Sequence, residues 1–297
     1  MTQAILSGVG IGALYVLMSI GFALELKIAD IVNAAHGVFV VLGMYVTLVA
    51  VQNDVPVVMA IVLATLAVGL LSYPIYTILI RSAKATSGHR VQLVFTLLLI
   101  SSFTVLYQLF FGADIQTLGV KFRSIEVPGG YMTTAQVAAV VIAIVVAFSL
   151  WAISKYSMIG KLAHVASQYP LGARSVGVPV DKIYLGVFVI AGLLAGLAGG
   201  VIMTFQPVEP TLGLQYITIV FLVALVARTH LLGCLALGIA YGVTQSVLSY
   251  LLDASIASTL TLVVFLAALV GGHAIRQVSA VARRVFGQRN AEVGLAQ

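Results

Sequence analysis

Apolar runs of about twenty residues recur from one end of this chain to the other, and few folds accept a sequence built that way. A bilayer core about 30 Å thick takes roughly 20 helical residues at about 1.5 Å each. Lipid offers backbone N–H and C=O groups no partner, so only helices and closed barrels cross it. Runs this long, without strict alternation, read as helices. They fall at 4–24, 31–51, 56–80, 91–111, 133–154, 183–204, 214–227, 231–252 and 256–272. The expected fold class is all-α: a polytopic integral membrane helix bundle of about nine transmembrane helices, within a range of eight to ten. The range reflects two places. Only Glu25, Lys27 and Asp30 separate the first two runs, and the seventh is short enough to be re-entrant or strongly bent.

No water-soluble domain of this size is 61% hydrophobic, and no long polar block remains beyond one central interval and the tail. One membrane domain over 1–297 is the expectation. The formal charge of +6 could point to nucleic acid, but the basic residues lie mainly in short loops and the tail, which fits membrane topology instead. With the N-terminus outside, nine crossings place every one of the 15 Lys and Arg residues on the inner side except Lys121 and Arg123. The opposite orientation would reverse that bias, so the expectation is N-terminus out, C-terminus in. The start lacks a basic leader region, so the first run is kept as an uncleaved helix. Cys234 is the single cysteine and lies in an apolar run, so neither an intrachain disulfide nor a metal cluster is expected.

The central polar interval, 155–182, organises the rest. It holds Lys155, Lys161, His164, Gln168, Arg174, Asp181 and Lys182 in a chain with only 8% charged residues. It reads as two short helices. Met158, Leu162, Val165 and Tyr169 form an apolar stripe on the first. Pro170 ends that helix or opens the second, which covers about 170–176 before Gly177 and Pro179. Small residues Gly172, Ala173 and Ser175 would let this stub enter a groove on another protein, beside Leu171, Arg174, Val176 and Gly177. An interfacial helix lying on lipid headgroups is the competing reading.

Small residues also mark helix contacts. Gly192, Gly196 and Gly200 recur every four residues, a spacing that lets backbones approach within lipid; a glycine row lining a path is the lesser alternative. Gly8 with Gly12, and Gly238 with Gly242, are shorter instances. Asn33 and His36 open the second run, where polar groups need a partner or a wet path. The imidazole could relay protons, bind solute, or hydrogen-bond Glu25 or a backbone carbonyl, and the chemistry favours the structural role. The fourth run is the most polar, with Gln92, Thr96, Ser101, Ser102, Thr104 and Gln108, and being uncharged it suits a polar solute's path better than ion coupling. The outer loop 112–132 alternates Val120, Phe122 and Ile125 with charged residues, as a short hairpin, a partner surface or a plain connector would. There is no heptad pattern, no low-complexity segment and no short-period repeat. Signatures of catalysis are absent, and so is a G-x-x-x-x-G-K-[ST] phosphate loop, so the expectation is a chain that is not an enzyme and not itself a P-loop ATPase.

Two segments carry a resemblance. I-V-N-A-A-H-G-V-F-V-V-L-G-M-Y-V at 31–46 resembles the N-x-x-H-G-x-x-x-x-L-G-x-Y segment of the branched-chain amino acid ABC permeases, especially their H-type subunit. The stretch G-K-L-A-H-V-A-S-Q-Y-P-L-G-A-R-S-V-G-V-P-V-D-K-I and the G-L-L-A-G-L-A-G-G-V after it are similar to that family's cytoplasmic loop and glycine-rich helix. Departures are V-A-R-T-H-L-L-G at 226–233 where the family has a glycine-rich turn, Pro170 and Leu171 near the start of the stub, and Val38 after His-Gly. The resemblance implies a permease subunit of a bacterial inner-membrane importer. Its partners would be a second, similar or identical permease, two cytoplasmic ATPase subunits that bind the ATP and Mg, and a periplasmic solute-binding protein. This chain would carry no cofactor. Cargo would be a branched-chain amino acid or a related small polar solute, since the family also takes urea, short amides and aromatic acids. The rival readings are an ATP-independent secondary transporter or channel, and a membrane enzyme. No ion site, selectivity ring or catalytic set in the sequence supports either.

Overall fold

The computed structural model describes residues 1–82, 89–120 and 122–271. Lys84, Lys121 and the basic tail with Arg276, Arg283, Arg284 and Arg289 lie outside the described residues, as does the Arg90 side chain. The helices are α1 (Thr2–Leu24), α2 (His36–Gln52), α3 (Val57–Ile75), α4 (His89–Phe111), α5 (Thr134–Tyr156), α6 (Met158–Gln168), α7 (Pro170–Ser175), α8 (Val180–Ile202), α9 (Leu212–Val226), α10 (Leu231–Leu251) and α11 (Ala254–Gly271). π-helical turns extend α1 over Glu25–Ala29 and α3 over Tyr76–Ile80. Seven of these described helices, α1, α3, α4, α5, α8, α10 and α11, are long and apolar enough to cross a bilayer. α2 and α9 are shorter.

The 31–51 run departs from expectation. Its first five residues are not helical. Asp30 takes a left-handed conformation (φ 54°), ends the π-helical turn, and the chain stays unwound until His36. Unwound backbone is tolerated at membrane depth only when protein encloses it. Ile31, Asn33 and Ala35 are indeed fully buried.

Glycine contacts set the arrangement. Cβ atoms added at Gly8 and Gly12 would lie 2.6 Å from the Cα atoms of Val243 and Ile239, so α1 and α10 run antiparallel, backbone on backbone. One at Gly196 would lie 2.6 Å from the Ala64 carbonyl, and one at Gly192 would collide with Ser72, so α8 packs antiparallel on α3 in the same way. α2 lies along the other side of α8, with Gly43 against Gly196 and Gly199 against Val40. Gly21 touches both His36 and Ala191, so α2 starts level with the middle of α8. Gly213 abuts Gly37 and Val38, so α9 starts at that depth too and leaves in the opposite sense, carrying Phe221 to Phe22. The units α1–α4 and α8–α11 thus follow one plan with inverted sense: a long helix, a short helix starting at mid-depth, then two further helices. Such inverted repeats are a common construction of transport proteins.

The bundle has two unlike ends. At one, β1 (Ser124–Val127) and β2 (Gly130–Thr133) form an antiparallel hairpin, an addition to the all-α expectation. It rests on the start of α1, where Gln3 donates to the Tyr131 carbonyl at 2.9 Å and accepts from the Tyr131 N–H at 2.9 Å. Gln116 and Val208 exchange backbone hydrogen bonds here, tying the 112–132 loop to the Pro-bounded turn at 206–210. Thr133 and Gln136 then form a capping box that starts α5. At the other end lie Lys27, Arg81, Lys155, Arg228 and the platform of α6 and α7.

Candidate functional site

Three features of the bundle have the chemistry of a working site. The first is the break between α1 and α2. Glu25, Asn33 and His36 are all at most 1% exposed. Asn33 Nδ2 donates to Glu25 Oε1 at 3.1 Å. His36 Nε2 lies 3.1 Å from the Met18 carbonyl, an acceptor only, so this nitrogen carries the hydrogen. Nδ1 then faces Glu25 Oε2 at 3.7 Å, within ion-pair range and beyond hydrogen-bond length. Neither atom has another partner among the described residues. The triad thereby holds the unwound segment to α1, and the imidazole ring fills the space opposite Gly21.

The second feature is a cleft of about 620 Å³ between α1, α9, α10 and α11, in the half of the bundle nearer the hairpin. Tyr15, Tyr216 and Tyr241 form its aromatic wall, and Gln206, Gln215, Gln245, Ser246, Ser249 and Ser258 its polar one. The Tyr15 hydroxyl donates to Gln245 Oε1 at 2.7 Å. No charged side chain lines it. Hydroxyls, amides and tyrosine faces in that volume suit a small solute with both polar and apolar parts.

The platform is the third. Ser157 caps α6, its hydroxyl accepting from the Gly160 N–H at 3.0 Å, and Pro170 opens α7 at the first turn. Gly177, at φ 82°, turns the chain toward α8. The faces differ from expectation. Gly160, Ala163, Ala166 and Ala173 are the buried residues, small because they seat against the bundle, where the Tyr184 hydroxyl donates to the Ala166 carbonyl at 3.0 Å. Of the expected stripe, Met158, Val165 and Tyr169 are exposed. Ala173, expected to enter a partner's groove, is 1% exposed and belongs to its own subunit's core. Gly172, Arg174, Ser175 and Gly177 are exposed, and Leu171 and Val176 stand out at 78% each. Arg174 pairs with Asp181 at 2.9 Å, bracing α7 to the start of α8.

The other sequence candidates divide. Gln92 and Thr96 are buried in the bundle, with Gln92's amide lacking a partner among the described residues, whereas Gln108 points outward with Ser101 and Ser102. Gly192, Gly196 and Gly200 face α3, Gly200 also meeting Thr47 of α2. Sequence reasoning missed the cleft. Its signal was Gln245, Ser246 and Ser249, polar residues on one side of an otherwise apolar run. Among the described residues, no three His, Cys, Asp or Glu side chains gather as metal ligands.

Known proteins agree with this architecture. A chain of PsaBC from Streptococcus pneumoniae, solved in complex with Fab, shares the fold at a TM-score of 0.50 and 17% identity, with 89% of each chain covered. The "Probable branched-chain amino acid transport permease protein LivH" of Methanocaldococcus jannaschii is 25% identical over 250 residues, covering 80% of this chain and 78% of that protein. The family described as "Branched-chain amino acid transport system / permease component" matches residues 4–270. With nearly the whole bundle inside that match, this chain belongs to the permease components of the branched-chain amino acid transport systems.

Proposed function

We propose that this chain is the membrane-embedded subunit of an ATP-driven importer, working with a second permease, two ATPase subunits on the basic side and a solute-binding protein on the hairpin side. The observation that carries this reading is the platform. Tyr169, Leu171 and Val176 are large apolar groups held outward on a base of buried alanines, on the end of the bundle with most of the described cations. The positive-inside bias makes that end cytoplasmic, with the N-terminus out and nine crossings if α2 and α9 are counted. Among the described residues, that end offers a soluble ATPase these exposed apolar side chains. α7 joins α8 within a few residues, and α8 meets α2 and α3 backbone to backbone, so little side-chain slack separates the platform from the bundle.

Ser101, Ser102 and Gln108 face outward from a spanning helix, which suits a neighbouring permease better than lipid. The neutral cleft beside Tyr15 and Gln245 forms this subunit's part of the solute path. Amides, hydroxyls and tyrosine faces fit a zwitterion with an apolar side chain, in keeping with a branched-chain amino acid. Proteoliposomes holding both permeases and the ATPases should accumulate leucine only with ATP and the binding protein. Accumulation by this chain alone, driven by an ion gradient, would refute the reading. Ser249→Trp, at an exposed position of the lining, should close the cleft and stop uptake with the complex intact; wild-type uptake would move the path elsewhere.

A further inference from the structure

A second cleft, of about 490 Å³, opens at the basic end between α5 and the turn that joins α9 to α10. Lys27, Lys155 and His230 line it with Ser154, while Trp151, Leu231 and Leu232 form its apolar part. Lys155 Nζ lies 4.9 Å from the Trp151 ring centre and 5.2 Å from that of Tyr156. The two rings meet edge to face at 5.9 Å, so they fix where the ammonium stands. Neither lysine meets a carboxylate among the described residues, and no acidic residue lines the cleft. Among the described residues, two cations and a histidine therefore share one recess with no carboxylate in its lining.

The surroundings say what kind of anion fits. Above the cleft, the outward face of α5 presents Val141, Val145 and Phe148, all exposed and continuous with Trp151. Hydrocarbon chains can lie on that face while a headgroup rests in the recess. Tryptophan and lysine at the end of a spanning helix also sit where headgroups lie. A free phosphate would use the cations and leave the apolar face unexplained. We propose that this cleft binds the phosphodiester of an anionic phospholipid, phosphatidylglycerol being the probe, at the basic membrane surface. Basic recesses between spanning helices on the cytoplasmic side are suited to such headgroups.

Trp151 is the chain's single tryptophan, so its fluorescence reports this site alone. The full chain is reconstituted in phosphatidylcholine vesicles with increasing fractions of lipid brominated near the top of the chain, carried on phosphatidylglycerol or on phosphatidylcholine. Brominated phosphatidylglycerol should reach half-quenching at a mole fraction about fivefold lower, the scale of one lysine's attraction to an anionic surface. High salt should shrink that gap, and Lys27→Gln with Lys155→Gln should abolish it. The salt arm uses the wild-type chain and stands even if the double variant fails to fold. Equal quenching by both lipids, or a preference untouched by salt, would overturn the proposal. A response of Trp151 to inorganic phosphate in pure phosphatidylcholine, with no preference for phosphatidylglycerol, would overturn it in favour of a soluble anion.

Discussion

His36→Leu removes the imidazole from the break between α1 and α2 and leaves an apolar side chain in its place. The Met18 carbonyl loses its bond, and Glu25 Oε2 keeps no polar neighbour in a site at most 1% exposed. Leaving a buried polar group without its partner costs about 1–3 kcal/mol, because the surviving group stays desolvated. The lost carbonyl bond adds about 1 kcal/mol. For a chain of this length, at roughly 2 °C per kcal/mol, the thermal midpoint should fall by roughly 4–8 °C. His36→Gln keeps a donor for Met18 and a polar atom toward Glu25, and should lose no more than about 1–2 kcal/mol. Removing both members tests the cause. Glu25→Leu in the His36→Leu background takes away the orphaned carboxyl and should recover much of the loss, since replacing a buried pair with apolar residues is often neutral. The assay is a detergent-solubilised thermal melt followed by size-exclusion chromatography, paired with uptake. If His36→Leu melts with wild type, the triad does not anchor the break. If His36→Gln keeps its melting point but loses all uptake, the imidazole has a specific role in transport and the structural account fails.

Gly37→Ala should prevent folding, measured as loss of monodisperse protein, because the added carbon would land on the Gly213 carbonyl where neither backbone can give. Gly186→Ala, which meets nothing within 4 Å, is the control and should behave as wild type. Leu171→Glu and Val176→Glu should leave insertion and melting unchanged yet lose co-purification of the ATPase subunits and uptake. Ala173→Glu, by contrast, should lower the melting point by several degrees, since a lone buried charge costs several kcal/mol; loss of ATPase binding without destabilisation would show that Ala173 is a contact residue after all.

Seven of the expected runs were legible as helices long and apolar enough to span, because hydropathy and length without alternation point to helices in lipid. The start of α2 was not. Ile31, Val32, Ala34 and Ala35 are as apolar as any helix, and hydropathy cannot separate a buried unwound segment from a buried helical one. What distinguishes them is the polar pair Asn33 and His36, with Glu25 eight residues before Asn33. These positions read as costs in a continuous helix and as bonds once the chain turns back at Asp30. Which face of the platform is buried was not legible for a related reason. Its stripe of large apolar residues was visible, but an apolar stripe marks the inside only where water is the alternative. Here the bundle accepts the small face, Gly160, Ala163, Ala166 and Ala173, and leaves Tyr169, Leu171 and Val176 outward.

The inverted plan escaped the sequence altogether, and the reason lies in what the contacts require. α1 meets α10 through Gly8, Gly12, Gly238 and Gly242, while α8 meets α3 through Gly192 and Gly196 against Ser72 and Ala64. Both pairs need only small atoms at four-residue spacing, which different residues supply, so equivalent packing leaves no repeated motif. The same economy bears on movement. At Gly196 and Gly199 the backbone of α8 lies on the backbones of α3 and α2, with no side chain between to absorb a shift. A displacement of the platform therefore has two outlets, sliding along those glycine rows or carrying α2 with it. The Gly37–Gly213 contact ties α2 to α9, and α9 forms one wall of the neutral cleft. Motion delivered at Val176 can thus reach the neutral cleft through three backbone-to-backbone or covalent steps, without any titratable group taking part.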